Sequence, residues 1–160
     1  MPLKIYIETT IPSFYFETRR NVECVSRRNW TRRWWDEHRH EHDLATSLVV
    51  REELSDPKYP AAKRSHALAL LDELPLLDLN ARIDDIVQTY IENLMMPRQP
   101  IADAIHLALA SHYRCDVLLT WNCVHLANPN KFRHIQSINR RLSLPMPMVV
   151  TPLELLGEMP

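Results

Sequence analysis

A chain of 160 residues, 46% apolar and 24% charged, is long enough to bury a core and has an ordinary globular composition, so residues 1–160 are expected to form a single domain. A formal charge of −1 gives no overall attraction for nucleic acid, and no apolar run approaches the ~18 residues of a membrane span. The lone glycine, Gly157, excludes the glycine-rich turns of a P-loop or a dinucleotide fingerprint.

The amino terminus, MPLKIYIE, meets a charge too soon to be a secretory signal. Cys24, Cys115 and Cys123 are odd in number and irregularly spaced, as expected of reduced thiols, buried or half-buried. Both features point to a cytoplasmic protein without a membrane partner. A zinc site drawn from Cys115, Cys123, His125 and His134 lacks the CxxC pair that would support it.

In chain order, LKIYI (3–7) reads as a short strand, and Pro12 permits a helix start after the turn ETT. Residues 20–41 have helical character, with Val22, Val25, Trp30 and Trp34 near one stripe. LATS (44–47) is a brief strand, followed by a helix from Leu48 to Leu54. SDPKYP breaks the chain before a helix near 60–73, and LPLLDL (74–79) reads as another short strand. Asn80 is a good cap for a helix reaching about Met95. After MMPRQP, IADAIHLALASHY carries apolar residues at 101, 104, 105, 108 and 109, a core-facing helical stripe. DVLLT (116–120) is an apolar strand, NPNKFRHIQSINRRL (128–142) a helix with a basic outer face, and MVVT (148–151) a last strand. Strands alternating with helices predict an α/β protein, a three-layer sandwich with a mostly parallel central sheet of about five strands.

Ligands bind such sheets at the carboxyl ends of the strands. Glu8 lies just past the first strand and Asn122 just past LLT. A buried charge is costly unless paired, so Glu8 needs water, a partner or a metal. Glu52 and Glu53 fall on the short helix after TSLVV, and Asp103 falls in the first turn of IADAIHLALA. Each also has an ordinary reading: Glu8 as a helix cap, Glu53 as a solvated charge, Asp103 as a complement to the helix dipole.

Other clusters favour ordinary readings. His38 and His42 of EHRHEHD stand one turn apart without the HExxH order, which suits a solvated helix end. Trp30, Trp34 and Trp35 beside Arg32 and Arg33 suit a packed helix face or a subunit contact better than a base-stacking platform. Seven arginines from Arg19 to Arg39 make either a phosphate-contacting surface or a solvated face. His106, three residues after Asp103, reads as a satisfied structural histidine.

Taken in order, IYIETTIPSFYF (5–16), SLVVREEL (47–54), DAIHLALA (103–110) and DVLLTWNCVHLANP (116–129) resemble the PIN domain. That family consists of metal-dependent nucleases and includes the VapC toxins of bacterial toxin–antitoxin pairs. The tail INRRLSLPMPMVVTPLELL (138–156) resembles one branch, which usually begins YIDTSVPSFY and carries TWN before a histidine. The resemblance covers nearly the whole chain. It implies that Glu8, Glu53 and Asp103 bind the metal, with Glu53 preferred over Glu52 because the family's acid directly precedes the apolar residue filled here by Leu54. Asn122 stands where many relatives carry a fourth acid and would complete the catalytic set by orienting the attacking water. Thr9 or Thr10 would supply a supporting hydroxyl, and His125 would orient the loop after the strand. Two positions depart from the pattern: Glu8 replaces an Asp and reaches one C–C bond further, and Asn122 brings no charge.

Hard oxygen ligands suit Mg²⁺ or Mn²⁺, and such ions stabilise the attacking and leaving oxygens of a phosphodiester. The resemblance thus implies a Mg²⁺- or Mn²⁺-dependent endoribonuclease that leaves 5′-phosphate and 3′-hydroxyl ends. It further implies the toxin of a type II pair, a small antitoxin protein over the acidic pocket, and a homodimer. The rival reading is a catalytically impaired PIN-fold RNA-binding or scaffolding protein, with a DNA-directed nuclease as a third.

Overall fold

The strand β1 (Lys4–Ile7) is the centre of the molecule: its Ile5, Tyr6 and Ile7 are fully buried. The computed structural model describes residues 2–157; Met1 and residues 158–160, which fall within the expected single domain, lie outside the described residues. β1 pairs on one side with β2 (Asp43–Ala45) and on the other with β3 (Val117–Leu119), and β4 (Met148–Val150) lies beyond β3. Every pairing is parallel, and the order is β2-β1-β3-β4.

The sheet therefore has four strands where about five were expected. LPLLDL forms no strand; it contributes a single bridge between Leu76 and Thr46 at the β2 edge. Pro75 explains the difference. Its carbonyl accepts from Thr46 N–H at 3.0 Å, but it has no N–H of its own with which to extend a ladder.

The helices α1 (Thr10–Tyr15), α2 (Val22–His38), α3 (Leu48–Leu54), α4 (Ala61–Leu71), α5 (Ala81–Glu92), α6 (Ala102–His112) and α7 (Pro129–Arg141) fall close to the expected segments, and α8 (Pro152–Gly157) follows β4 where no helix was expected. Side-chain caps account for several starts. Asn21, Asn80 and Asn128 accept from Cys24, Ile83 and Asn130 N–H, respectively. α5 stops three residues short of Met95 because Leu94 turns into the left-handed region, φ 57°, and Met95 N–H donates back to Tyr90 O at 3.0 Å. α5 packs on α6, and α1 packs on α2 and α4. A buried polar knot ties α5, α6 and α7: Tyr90 donates to Asn139 Oδ1 at 2.6 Å, and Asn139 Nδ2 donates to Ser111 at 2.9 Å.

A second buried polar group holds the end of α1 against α4. Glu17 accepts from Thr18 and Arg19 N–H and from the Arg19 guanidinium at 2.9 Å, with Lys63 of α4 at 3.9 Å. The Arg19 hydrogen bonds outweigh the cost of burial and, with Lys63, hold the carboxyl down at about 2. The folded state thus favours the carboxylate. Its contribution is complete above the ordinary value of 4.5 and is lost as pH falls toward about 2. Glu17→Gln is expected to cost about 1–2 kcal/mol at pH 7, since Arg19 is largely exposed and screened. In urea unfolding measured at stepped pH, the gap from wild type should shrink below pH 4.5 and close near 2.

Candidate functional site

Parallel pairing brings three strand ends to one edge. Ile7 pairs with Leu119, so Glu8 follows beside Thr120, and Glu8 N–H donates to Leu119 O at 3.3 Å. Tyr6 pairs with Ala45, so Thr46 lies beside Ile7 and its hydroxyl donates to Ile7 O at 2.9 Å. From this edge the chain enters α1 after Glu8 and α3 after Ser47, and α6 carries Asp103 in its first turn.

Glu8 is 3% exposed. Its carboxylate turns back to accept from Thr10 N–H at 2.8 Å and from the Thr120 hydroxyl at 3.1 Å. The extra carbon relative to Asp is taken up in this fold-back, so Glu8 caps the start of α1 and faces the site at once. Thr10 Oγ1 accepts from Trp121 N–H at 2.8 Å, which ties α1 to the end of β3.

The two glutamates of α3 part company. Glu52 is exposed, whereas Glu53 meets His106 Nε2 at 2.6 Å and accepts from the Thr9 hydroxyl on the same oxygen, Oε1. Thr9 and Thr10 thus each support one acid. His106 is 1% exposed, and its Nδ1 lies 2.7 Å from the Tyr6 hydroxyl, itself 2.8 Å from Ser47 Oγ. With both ring nitrogens protonated, His106 donates to Glu53 and to Tyr6, and Tyr6 donates to Ser47. The histidine is satisfied, as a structural one would be, but its partner is a site carboxylate. Its three-residue spacing from Asp103, one face of one helix, is the sequence signal that locates it here.

Asp103, 7% exposed, accepts from Asn122 Nδ2 at 3.1 Å. Asn122 Oδ1 accepts from His125 and Val124 N–H at 3.0 and 3.3 Å, and Asn122 N–H donates to Thr120 Oγ1 at 2.9 Å. Asn122 therefore aims Asp103 and pins the loop after β3, with both lone pairs of its oxygen in use. Ser47 and Thr120 stand in the SLVVREEL and TWN segments that carry the resemblance, whereas nothing in the segment around Tyr6 singles it out for this network.

Burial pushes the Glu8 and Asp103 carboxyls upward, against the opposing charge of His106. Burial acts the same way on Glu53, but the hydrogen bond and charge of His106, with the Thr9 bond, leave Glu53 below its usual range. For His106, burial opposes the imidazolium, yet Glu53 in contact and the charges of Glu8 and Asp103 raise it. The site is one ion pair plus two carboxyls that are costly to ionise.

Were all three carboxyls ionised, a single imidazolium would leave negative charge unmet, and the free acceptors here are hard oxygens. Charge and donor chemistry therefore fit a divalent cation of the Mg²⁺ or Mn²⁺ kind. Glu53 Oε2 and Asp103 Oδ2 accept no hydrogen bond among the described residues, so each keeps an oxygen for it. The arrangement is open: among the described residues no three His, Cys, Asp or Glu side chains are already gathered as a ligand set.

No family model matches the chain, and no curated protein sequence matches it. Among solved structures, a chain of VapBC2 from Rickettsia felis, bound to a DNA fragment from its promoter, superposes with a TM-score of 0.59. The match covers 93% of this chain and 98% of that one at 15% identity. The fold is PIN-like.

Around the PIN-like edge, the remaining clusters find structural roles. Trp34 and Trp35 are buried, and Trp30 stacks on Trp121 with centroids 6.1 Å apart. Arg27 covers Trp121 at 5.1 Å and pairs with Glu23 at 3.0 Å, the one arginine of the seven seen against the β3 end. His38 meets Glu41 at 3.1 Å, and His42 accepts from Leu3 N–H and stacks on Trp34, so the two do not form a metal pair. Cys24 and Cys115 are buried free thiols; Cys123, expected to be covered, is exposed in the loop after β3. Among the described residues no helix is long and apolar enough to cross a membrane.

The raised carboxyls carry a stability signature. An acid raised in the folded state costs nothing below its unfolded value and costs progressively more as pH rises through the folded one. In EDTA at pH 7, Glu8→Gln and Asp103→Asn are expected to stabilise the protein by about 0.5–2 kcal/mol, the usual gain when a functional strain is removed. Denaturant melts should show that gain fading as pH is lowered below the ordinary carboxylate range.

Proposed function

We propose that the protein is a Mg²⁺- or Mn²⁺-dependent endoribonuclease and the toxin of a type II toxin–antitoxin pair. The observation that supports this reading is the carboxyl edge of a parallel PIN-like sheet, where Glu53 pairs with His106 at 2.6 Å, Glu8 follows the end of β1 and Asp103 lies in the first turn of α6. A divalent cation held by those carboxylates would supply the Lewis acidity that phosphodiester hydrolysis requires. The chain's own part is positioning. His106 and Thr9 hold Glu53 by one oxygen and keep it ionised, Thr10 and Thr120 hold Glu8, and Asn122 holds Asp103. The choice of RNA follows from the resemblance of the motifs. A small antitoxin protein over the acidic edge draws support from the likeness to a chain of VapBC2, and homodimerisation is proposed from the resemblance of the motifs alone.

A second reading, a PIN-fold RNA-binding or scaffolding protein without catalysis, is favoured by the open arrangement of the carboxylates. Metal addition separates the two. Mn²⁺ is expected to raise the unfolding temperature of the wild type and to support cleavage of single-stranded RNA. Asp103→Asn should lose both, with cleavage down more than about a hundredfold, while His106→Gln should lose about 10–100-fold, as positioning partners do. Wild-type protein whose melting is indifferent to Mn²⁺, with RNA left intact, would establish the second reading.

A further inference from the structure

Next to Asp103 lies a cavity of about 420 Å³ between the end of α5, the loop leading to α6, and the start of α7. Its polar lining is Arg98, His125 and Lys131; its apolar lining includes Met95, Met96 and Pro97. None of its lining residues is acidic. His125 is bound to the acidic site through its backbone: its N–H donates to Asn122 Oδ1, and Asn122 Nδ2 donates to Asp103.

The basic groups have little to do within the fold. Lys131 Nζ has the Met96 sulfur at 3.7 Å as its hydrogen-bond partner, and neither Lys131 nor Arg98 forms an ion pair with a described residue. Partial burial works against the Lys131 ammonium, with Asp103 opposing that cost from beyond contact. The open hollow on the other flank, beside Glu53, differs: Asp56 stands there with Lys58, so its charge is mixed.

We propose that the Arg98–His125–Lys131 cavity holds the nucleotide next to the scissile bond of a single-stranded nucleic acid, its phosphate on the three basic groups and its sugar or base against the exposed Leu94 and the half-buried Pro97. The cavity deepens the nuclease reading and rests on it for the scissile bond, but binding does not require cleavage. The acidic centre repels phosphate when no cation is present, and a basic pocket joined to it through Asn122 is where the neighbouring phosphate gains most. The combination of cations with an apolar wall suits a nucleotide, whereas an acidic peptide would use the cations alone.

The test is binding of a fluorescein-labelled eight-nucleotide RNA in EDTA, read by anisotropy across a salt series. Lys131→Gln and Arg98→Gln are each expected to weaken binding about tenfold, the loss of one charge-assisted hydrogen bond. Each should also flatten the log–log salt slope by about 0.7, one phosphate contact on a single strand. Arg140→Gln, an equal charge loss near the far end of α7, should leave both nearly unchanged. Because Arg98 is exposed, its variant tests the cavity even if the Lys131 variant folds poorly. Wild-type affinity and slope in both variants, no RNA binding by the wild type, or loss of polyglutamate binding with RNA binding retained would each overturn the proposal. Loss of RNA binding in the variants beside a wild type that cleaves nothing would uphold the cavity and overturn the nuclease reading instead.

Discussion

The contact between His106 and Glu53 answers a charge problem that this fold creates for itself. Acids at the end of β1, on α3 and on α6 come to a rim largely shielded from water, where ionising any one of them unaided is costly. A fully buried imidazolium offsets part of that cost, and it persists there because the three acids favour its proton against burial. Tyr6 and Ser47 complete the other side of the ring, so both nitrogens are satisfied. Remove the ring and Glu53 becomes a third carboxyl with only Thr9 to hold it.

That contact in turn depends on strand register. Tyr6 and Glu8 are two residues apart and so share a face of the sheet. This lets the hydroxyl of one reach His106 while the carboxylate of the other meets Thr10 and Thr120. A slip of one residue would send both to the opposite face. The pairings of β1 with β2 and β3, with Ile5, Tyr6 and Ile7 fully buried, make such a slip prohibitive. The site is accurate because the strand under it is buried along Ile5, Tyr6 and Ile7 and paired on both sides.

The edge is also divided in charge. Glu53 pairs with His106, while Arg98, His125 and Lys131 line the cavity between the end of α5 and the start of α7, with His125 linked to Asp103 through Asn122. Asn122 is therefore more than a neutral stand-in for an acid. Its amide nitrogen orients Asp103 and its oxygen fixes the backbone that presents His125.

Much of this was legible along the chain, for local reasons. Apolar runs, the Asn80 cap and proline breaks located the helices α1 to α7 and the four strands, because those signals act within a few residues of themselves. LPLLDL misled, since its apolar pattern suits a strand while Pro75 withholds the donor that a ladder needs. The sequence by itself determined the alternation of strand and helix and the position of Glu8, Glu53, Asp103 and Asn122 next to strand or helix ends. Only the tertiary structure decided that His106 pairs with Glu53, that Thr120 links Glu8 to Asn122, and that a basic cavity lies beside His125. The physical reason is range. Caps and turns are written within four or five residues, whereas a buried charge finds its counter-charge across 53 residues, through packing that no local pattern encodes.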